Sequence, residues 1–294
     1  MSGPIGFHHV DVFTPRPYSG NSLAVFPRAS GLTGFQMARI TKELRHFESI
    51  FLERDGNGRE CRARVFDLNE ELDFAGHPVI GAASVLHALH GSEAIERWTI
   101  HLKTRTVTVE TRRRGPGHYT AVLDQGAAEF LATPPRGMAA EIASWFLLSA
   151  ADLDPELASE VVSTGLRYLV LPVRSEALAR ARIAVTDLGA RLARLGAQFA
   201  YLLDARMLES RHWNNDGIVE DVATGSGAGC AAAYLRRHGL IPDGEAATLR
   251  QGRFTGRPSE ILLRAHGTGT DIGSVEVGGD VSLVGEGRLD VLPE

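Results

Sequence analysis

Three short segments carry the side chains best suited to proton chemistry. The first is His46-Phe47-Glu48-Ser49-Ile50-Phe51-Leu52, where Glu48 opens an apolar run. A carboxylate set in an apolar wall has its pKa raised and can hold a proton near neutrality. The same pattern also fits a surface glutamate at a strand edge, which is the commoner case. The second is Gly76-His77-Pro78, at the expected start of a helix. A histidine there could donate to a substrate anion or shuttle a proton, or it could be structural. Pro78 is expected at the first helical position, where its missing N–H costs nothing. The third is Glu220-Asp221 with Thr224 and Ser226. Asp221 could cap a turn or orient a reacting group, and Thr224 and Ser226 could cap the helix that follows. Capping is the default reading for these polar residues, and the Gly225-Ser226-Gly227 backbone is the better anion cradle.

Other chemistries fit poorly. Gly225-Ser226-Gly227-Ala228-Gly229 is spaced G-x-G-x-G and lacks a preceding apolar strand, so a dinucleotide loop is not expected. His87 and His90 share a helix face without a carboxylate or cysteine cluster, and no metal site is expected. Cys230 lies among alanines and reads as a small core residue. With Cys61 as its only companion, no disulfide framework is possible, and the pair suggests a reducing cytosol. The net charge of −5 leaves no footprint for nucleic acid or membrane. Arg112, Arg113 and Arg114 read as a solvated hairpin tip. The opening MSGPIGFHHVDVF lacks the charged start and apolar core of a secretory leader, so a cytoplasmic location is expected.

The elements that must position these residues are duplicated. Residues 73–91 and 221–239 each begin with Asp, carry Gly eight positions later, at Gly81 and Gly229, and end in His-Gly. Between those marks lies a small, Ala-rich stretch that reads as a helix buried on most sides. Each helix opens on a loop of small residues whose backbone N–H groups are free to bind an anion. Two such starts facing each other across a cleft would form an active site.

Around these helices, 7–13, 22–26, 49–53, 62–66, 98–102, 106–111 and 119–124 read as strands, and 34–44 as a helix. Pro134-Pro135 is a plausible linker. In the second half, 139–149 and 177–195 read as helices. Residues 161–173 read as a strand running through Gly165, and 199–203, 206–213, 249–251, 260–265, 275–277 and 281–284 as further strands. Strands wrapped about one hydrophobic helix per half give an α+β class. The expected domains are 1–130 and 131–280, with 281–294 packing back onto the first.

The chain resembles the phenazine biosynthesis PhzF-like family, within the diaminopimelate epimerase fold. The resemblance runs almost end to end. It is carried by Asp11-Val12-Phe13 with Gly20-Asn21, by Glu71-Leu72-Asp73-Phe74-Ala75-Gly76-His77-Pro78, and by Ser163-Thr164-Gly165-Leu166. Glu220-Asp221-Val222-Ala223-Thr224-Gly225-Ser226, Gln251-Gly252 and Gly256-Arg257-Pro258-Ser259 complete it.

The resemblance implies two similar domains, each a curved, mostly antiparallel sheet on a central helix. It implies cofactor-free proton transfer on a small carboxylate-bearing metabolite, and a homodimer. Glu48 matches the catalytic acid/base. His77 and Asp221 match proton-handling positions, and Asn21, Gly76, Gly225 and Ser226 substrate-binding ones. The related racemases use two facing cysteines, and Ala75 and Thr224 stand at those places. Departures from the family pattern are Ser22 after Asn21, Phe47 before Glu48, Val222 after Asp221, and His212-Trp213-Asn214-Asn215. Phe47 and Trp213 could lie near the cleft. The leading expectation is a cytosolic isomerase. The alternatives are an epimerase or racemase using Glu48 with another base, and a non-catalytic binding or interaction module.

Overall fold

A computed structural model of the chain describes residues 3–54 and 58–294. Two compact units are present, one of residues 1–124 with 278–294 and one of residues 125–277.

The first unit is a ring of strands around one helix. In chain order it contains β1 (Ile5–Val12), β2 (Asn21–Phe26), α1 (Gly34–Leu44), β3 (Glu48–Glu53), β4 (Glu60–Asp67) and β5 (Glu71–Leu72). Then come α2 (Gly76–His90), β6 (Ile95–His101), β7 (Thr106–Gly115) and β8 (His118–Asp124). β1 pairs antiparallel with β2, β2 parallel with β3, β3 antiparallel with β4, β4 parallel with β6, and β6 antiparallel with β7. β7 continues to β8, and the last strand of the chain pairs with both β8 and β1, which closes the ring.

α2 fills the ring. Every residue from Gly76 to His87 is buried, as expected of a helix that is apolar or small on all sides. Gly81 lets it approach the sheet, since a Cβ there would stand 2.5 Å from Leu23 Cδ2. On the outer face α1 covers a second cluster that includes Phe26, Met37, Ile40, Phe51 and Phe66.

The second unit repeats the pattern. Its elements are β9 (Glu129–Ala132), α3 (Ala139–Ser144), β10 (Glu160–Ser163), β11 (Arg167–Pro172), α4 (Ser175–Arg180) and α5 (Leu188–Arg194). They continue with β12 (Phe199–Asp204), β13 (Glu209–Trp213), β14 (Glu220–Asp221), α6 (Gly225–Arg237), β15 (Ala247–Gln251) and β16 (Ser259–Thr268). β17 (Asp271–Leu289) begins in this unit and ends in the first. β10–β11 is antiparallel, β11–β12 parallel, β12–β13 antiparallel, β13–β15 parallel and β15–β16 antiparallel, the same alternation as in the first unit. α6 is buried from Gly225 to Leu235. The α+β class and the one-helix-per-half plan therefore stand.

Several boundaries differ from the sequence expectation. Residues 161–173 form a hairpin rather than one strand, because Gly165 turns the chain with φ +144°. The helix expected over 177–195 is two helices, α4 and α5. Between them the Arg182 N–H donates to Phe146 O and the Ala184 N–H to Trp145 O, at 3.1 and 2.8 Å. Those bonds hold the segment out of helical geometry. α3 stops well before 149, and Leu147 is left-handed with φ 56°. The strand expected over 206–213 starts at Glu209.

The two strands expected at 275–277 and 281–284 are parts of β17. Gly278 there is a close-approach residue, since a Cβ would stand 2.5 Å from Ala121 O. α2 starts at Gly76, so Pro78 is its third residue and still lies in the turn whose N–H groups need no helical partner. Arg112–Arg114 close β7 and are exposed, with the turn itself at Gly117, φ 66°. No helix among the described residues is long and apolar enough to cross a membrane.

Candidate active site

In the first unit, Glu48, His77 and Asn21 come together at one end of the ring. α1 ends on Arg45 in the left-handed region, φ 57°, and the chain turns there into β3. Glu48 is the first residue of β3, opposite Leu23 on one side and Asp67 on the other. It is therefore an interior-strand residue, 9% exposed, and not the edge residue that the pattern also allowed. His77 is the second residue of α2 and 3% exposed. His77 Nδ1 lies 3.6 Å from Glu48 Oε2 and 3.5 Å from Asn21 Nδ2.

The two neighbours of Nδ1 are chemically opposite. The Asn21 amide can only donate to it. Glu48 accepts from it when ionised and donates to it when protonated. The proton on His77 Nδ1 thus depends on the proton state of Glu48. Both contacts are long for hydrogen bonds, a state that tightens when a ligand fills a site. Gly76 opens α2, and the N-cap Ala75 offers no side-chain cap.

In the second unit, Asp221, Thr224, Gly225 and Ser226 are likewise together. Asp221 is 2% exposed. The Thr224 hydroxyl donates to Asp221 Oδ2 at 2.6 Å, so it serves the aspartate rather than capping α6, which has no side-chain cap. Ser226 Oγ shares a 2.8 Å hydrogen bond with the Tyr168 hydroxyl. The Gln251 amide ties the group together. Its Nε2 donates to Asp221 O and Thr224 Oγ1, each at 2.9 Å. Its Oε1 accepts from the Thr224 N–H at 3.1 Å and the Tyr201 hydroxyl at 2.8 Å.

The sequence shows Gln251 only as part of a motif and does not single out Tyr168 or Tyr201. These tyrosines sit in apolar strands, where nothing marks one aromatic as structural and another as a hydrogen-bond partner. Trp213, expected near the cleft, is a core residue of the second unit with the Arg211 guanidinium stacked 4.4 Å from its ring centroid.

The remaining candidates are inert. His87 uses both ring nitrogens, on Thr111 Oγ1 at 2.7 Å and Glu93 O at 3.0 Å. Burial pushes the Cys61 thiol up to about 11 and the Cys230 thiol to about 12. Among the described residues no group of three His, Cys, Asp or Glu side chains is arranged to hold a metal.

A buried glutamate beside a buried histidine, on a fold of curved sheets wrapped around single helices, is an arrangement suited to acid/base chemistry. Comparison with known proteins gives the family. Residues 10–287 match the profile of the PhzC-PhzF family, described as phenazine biosynthesis-like protein. The trans-2,3-dihydro-3-hydroxyanthranilate isomerase of Pseudomonas aeruginosa is 32% identical over 95% of this chain and 97% of its own length. The solved structure of a predicted epimerase, also from Pseudomonas aeruginosa, is 49% identical, covers 99% of this chain and 100% of that one, and superposes with a TM-score of 0.91. The PhzF-family phenazine biosynthesis protein of Bacillus anthracis shares the fold at 21% identity, with coverage of 99% and 100% and a TM-score of 0.84. The chain belongs to the PhzC-PhzF phenazine biosynthesis-like family, and it is an isomerase of that family.

Proposed function

We propose that this enzyme moves a proton between carbons of a small carboxylate-bearing metabolite, with no metal or organic cofactor. The observation that carries the reading is the buried Glu48–His77 contact at 3.6 Å. Glu48 takes a proton from a carbon made acidic by an adjacent double bond or carboxylate. The bond's electron pair moves into the conjugated system, and Glu48 returns the proton to a different carbon. His77 reads and shares the proton of Glu48, and Asp221 orients the substrate and assists transfer. In the first unit the uncapped start of α2, with Asn21 and Gly76, offers a carboxylate its backbone N–H groups and the positive end of the helix dipole, and in the second unit the uncapped start of α6, with Gly225 and Ser226, offers the same.

The relative at 32% identity acts on trans-2,3-dihydro-3-hydroxyanthranilate, and an amino- or hydroxy-substituted cyclic carboxylate of that kind is the substrate class proposed here. The enzyme works in the cytoplasm as a homodimer, without nucleic acid or membrane partners. A second reading, epimerisation of one carbon, is favoured by the 49% identical structure described as a predicted epimerase. It would use Glu48 with another base. Two-thiol chemistry is not the route, because Ala75 and Thr224 occupy the racemase positions.

The test is incubation in D2O with trans-2,3-dihydro-3-hydroxyanthranilate and a panel of 2-amino and 2-hydroxy carboxylates, read by proton NMR. Deuterium appearing at a new carbon supports isomerisation, and exchange at one stereocentre supports epimerisation. Tight binding with no exchange in any compound would reject both.

A further inference from the structure

The two units carry the same two-strand ribbon before their central helices, and one cross-strand pair is apolar in the first copy and ionisable in the second. In the first unit, Arg64 donates to both oxygens of Glu71 at 2.8 and 2.7 Å and lies over Phe66. In the second, Arg211 donates to both oxygens of Glu220 at 2.7 and 2.6 Å and lies over Trp213. Arg-x-aromatic on one strand and Glu on the next is thus duplicated.

Side chains alternate along a strand, so the residue between the arginine and the aromatic points to the other face. In the first unit that face carries Val65 opposite Leu72. In the second it carries His212 opposite Asp221. Directly opposed residues bring their Cβ atoms within about 4.5–5.5 Å of each other. An apolar pair has become an ionisable one, on the ribbon that bears Asp221.

His212 is buried with its ring orientation fixed. It is 3% exposed. Its Nδ1 lies 2.9 Å from Ala200 O, and a carbonyl accepts only, so Nδ1 carries the hydrogen in every protonation state. In the neutral ring Nε2 is therefore the acceptor. The ring is enclosed by Tyr168, Phe199 and Tyr201, at 5.5, 5.7 and 6.4 Å between centroids. Burial holds the imidazole below its ordinary pKa, opposed by the Asp221 carboxylate and, more weakly, by the Ala200 carbonyl and Glu220. The titratable groups in reach of the ring are Tyr168 and Tyr201 on the strands beside it and Glu220 and Asp221 on β14. Burial keeps Tyr201 protonated.

We infer that His212 and Asp221 act as one acid/base pair of the second unit, the imidazole taking and returning a proton at Nε2 in step with the Asp221 carboxylate. His212 is a positioning residue for the Asp221 proton, and the inference rests on the part given to Asp221 above. The pair stores one proton. With the ring neutral, Nε2 is the atom that receives it, and the Asp221 carboxylate across the ribbon favours the imidazolium that forms.

The experiment is a histidine titration by long-range proton–nitrogen NMR on the full chain labelled with 15N-histidine, with H212N for assignment and D221N as the probe of coupling. His212 is expected as the Nδ1–H tautomer at neutral pH, titrating below a free histidine. In D221N its midpoint should fall further, by about half a unit or more, because the carboxylate that favours the imidazolium is gone. An Nε2–H tautomer, a midpoint unmoved in D221N, or a ring that stays neutral until the protein unfolds in acid would each overturn the pair. Turnover of D221N in the deuterium assay tests the catalytic role of Asp221 separately. An inactive D221N with an uncoupled His212 removes only this inference, whereas an active D221N removes the role of Asp221 itself.

Discussion

His77 Nδ1 faces Glu48 Oε2 at 3.6 Å, with the Asn21 amide 3.5 Å from the same nitrogen. One ring nitrogen is thereby shared between a fixed donor and a group whose character changes with its proton. When Glu48 is ionised, His77 can offer it a proton. When Glu48 is protonated, the unprotonated Nδ1 can accept from it or from the Asn21 amide. The arrangement suits a carboxyl group that must give up and regain a proton within one turnover.

Glu48→Gln should abolish turnover and leave the fold intact. The amide keeps the size and polarity of the side chain but cannot carry the proton. Loss of one acid/base group typically costs about 10²–10⁴ in rate, and more where it is the only carrier. The measurement is deuterium incorporation beside thermal melting of the variant. Activity within tenfold of wild type would remove Glu48 from the mechanism.

Native protein should resist iodoacetamide at both cysteines. Cys61 and Cys230 are buried, and burial lifts their thiols to about 11 and about 12. At pH 8 the thiolate fraction is then on the order of 0.1% or less, and the thiolate is the nucleophile. Mass spectrometry should show little modification without denaturant and two adducts with it. Rapid native labelling at Cys230, with loss of activity, would mean that a thiol takes part after all.

The sequence shows the repeated helices clearly because their composition is extreme. A helix enclosed by strands must be small or apolar on every side, and little else looks like DFAGHPVIGAASV or DVATGSGAGCAAA. The ribbon before each helix has no such mark, although Arg64…Glu71 and Arg211…Glu220 repeat it. Its signal is two separated residues whose meaning lies in a cross-strand contact. Glu48 was ambiguous for a related reason: a strand's first residue looks the same at a sheet edge and in its interior. The breaks at 147, 165 and 181–187 arise from left-handed or turn residues and from backbone bonds made far along the chain. Local propensity, which favoured long helices through Ala- and Leu-rich stretches, does not register such bonds.

Gly229→Ala should destabilise the second unit despite the better helix propensity of alanine. The added methyl would stand 2.0 Å from Gln125 Oε1 and 2.9 Å from Thr164 Oγ1. That amide is pinned, donating to Gly225 O at 2.9 Å and accepting from Thr164 at 2.6 Å. Expelling it strands buried polar groups at about 1–3 kcal/mol each, against a propensity gain of about 1 kcal/mol. A fall in Tm of several degrees is expected. An unchanged or raised Tm would show that Gln125 yields freely.

The two copies of the ribbon should respond very differently to loss of their arginines. The Arg211 side chain is 1% exposed and Glu220 15% exposed, whereas Arg64 and Glu71 are 33% and 25% exposed. Arg211 also donates through Nη1 to Leu178 O and Ala181 O. Replacing it with methionine leaves Glu220 and two carbonyls without their donor in a site largely shielded from water. Breaking a buried pair from one side costs about 3–5 kcal/mol. Arg64→Met removes a pair that water screens, worth about 0–1 kcal/mol. Pairing Arg211→Met with Glu220→Leu removes the stranded carboxylate and should recover part of the loss, since an apolar pair can replace a buried ionic one. Chemical denaturation of the three variants gives the ordering: Arg211→Met least stable, the double variant intermediate, and Arg64→Met close to wild type. Equal losses for the two single variants would mean that the ribbons contribute alike, and that the burial of Arg211 does not set its weight in the fold.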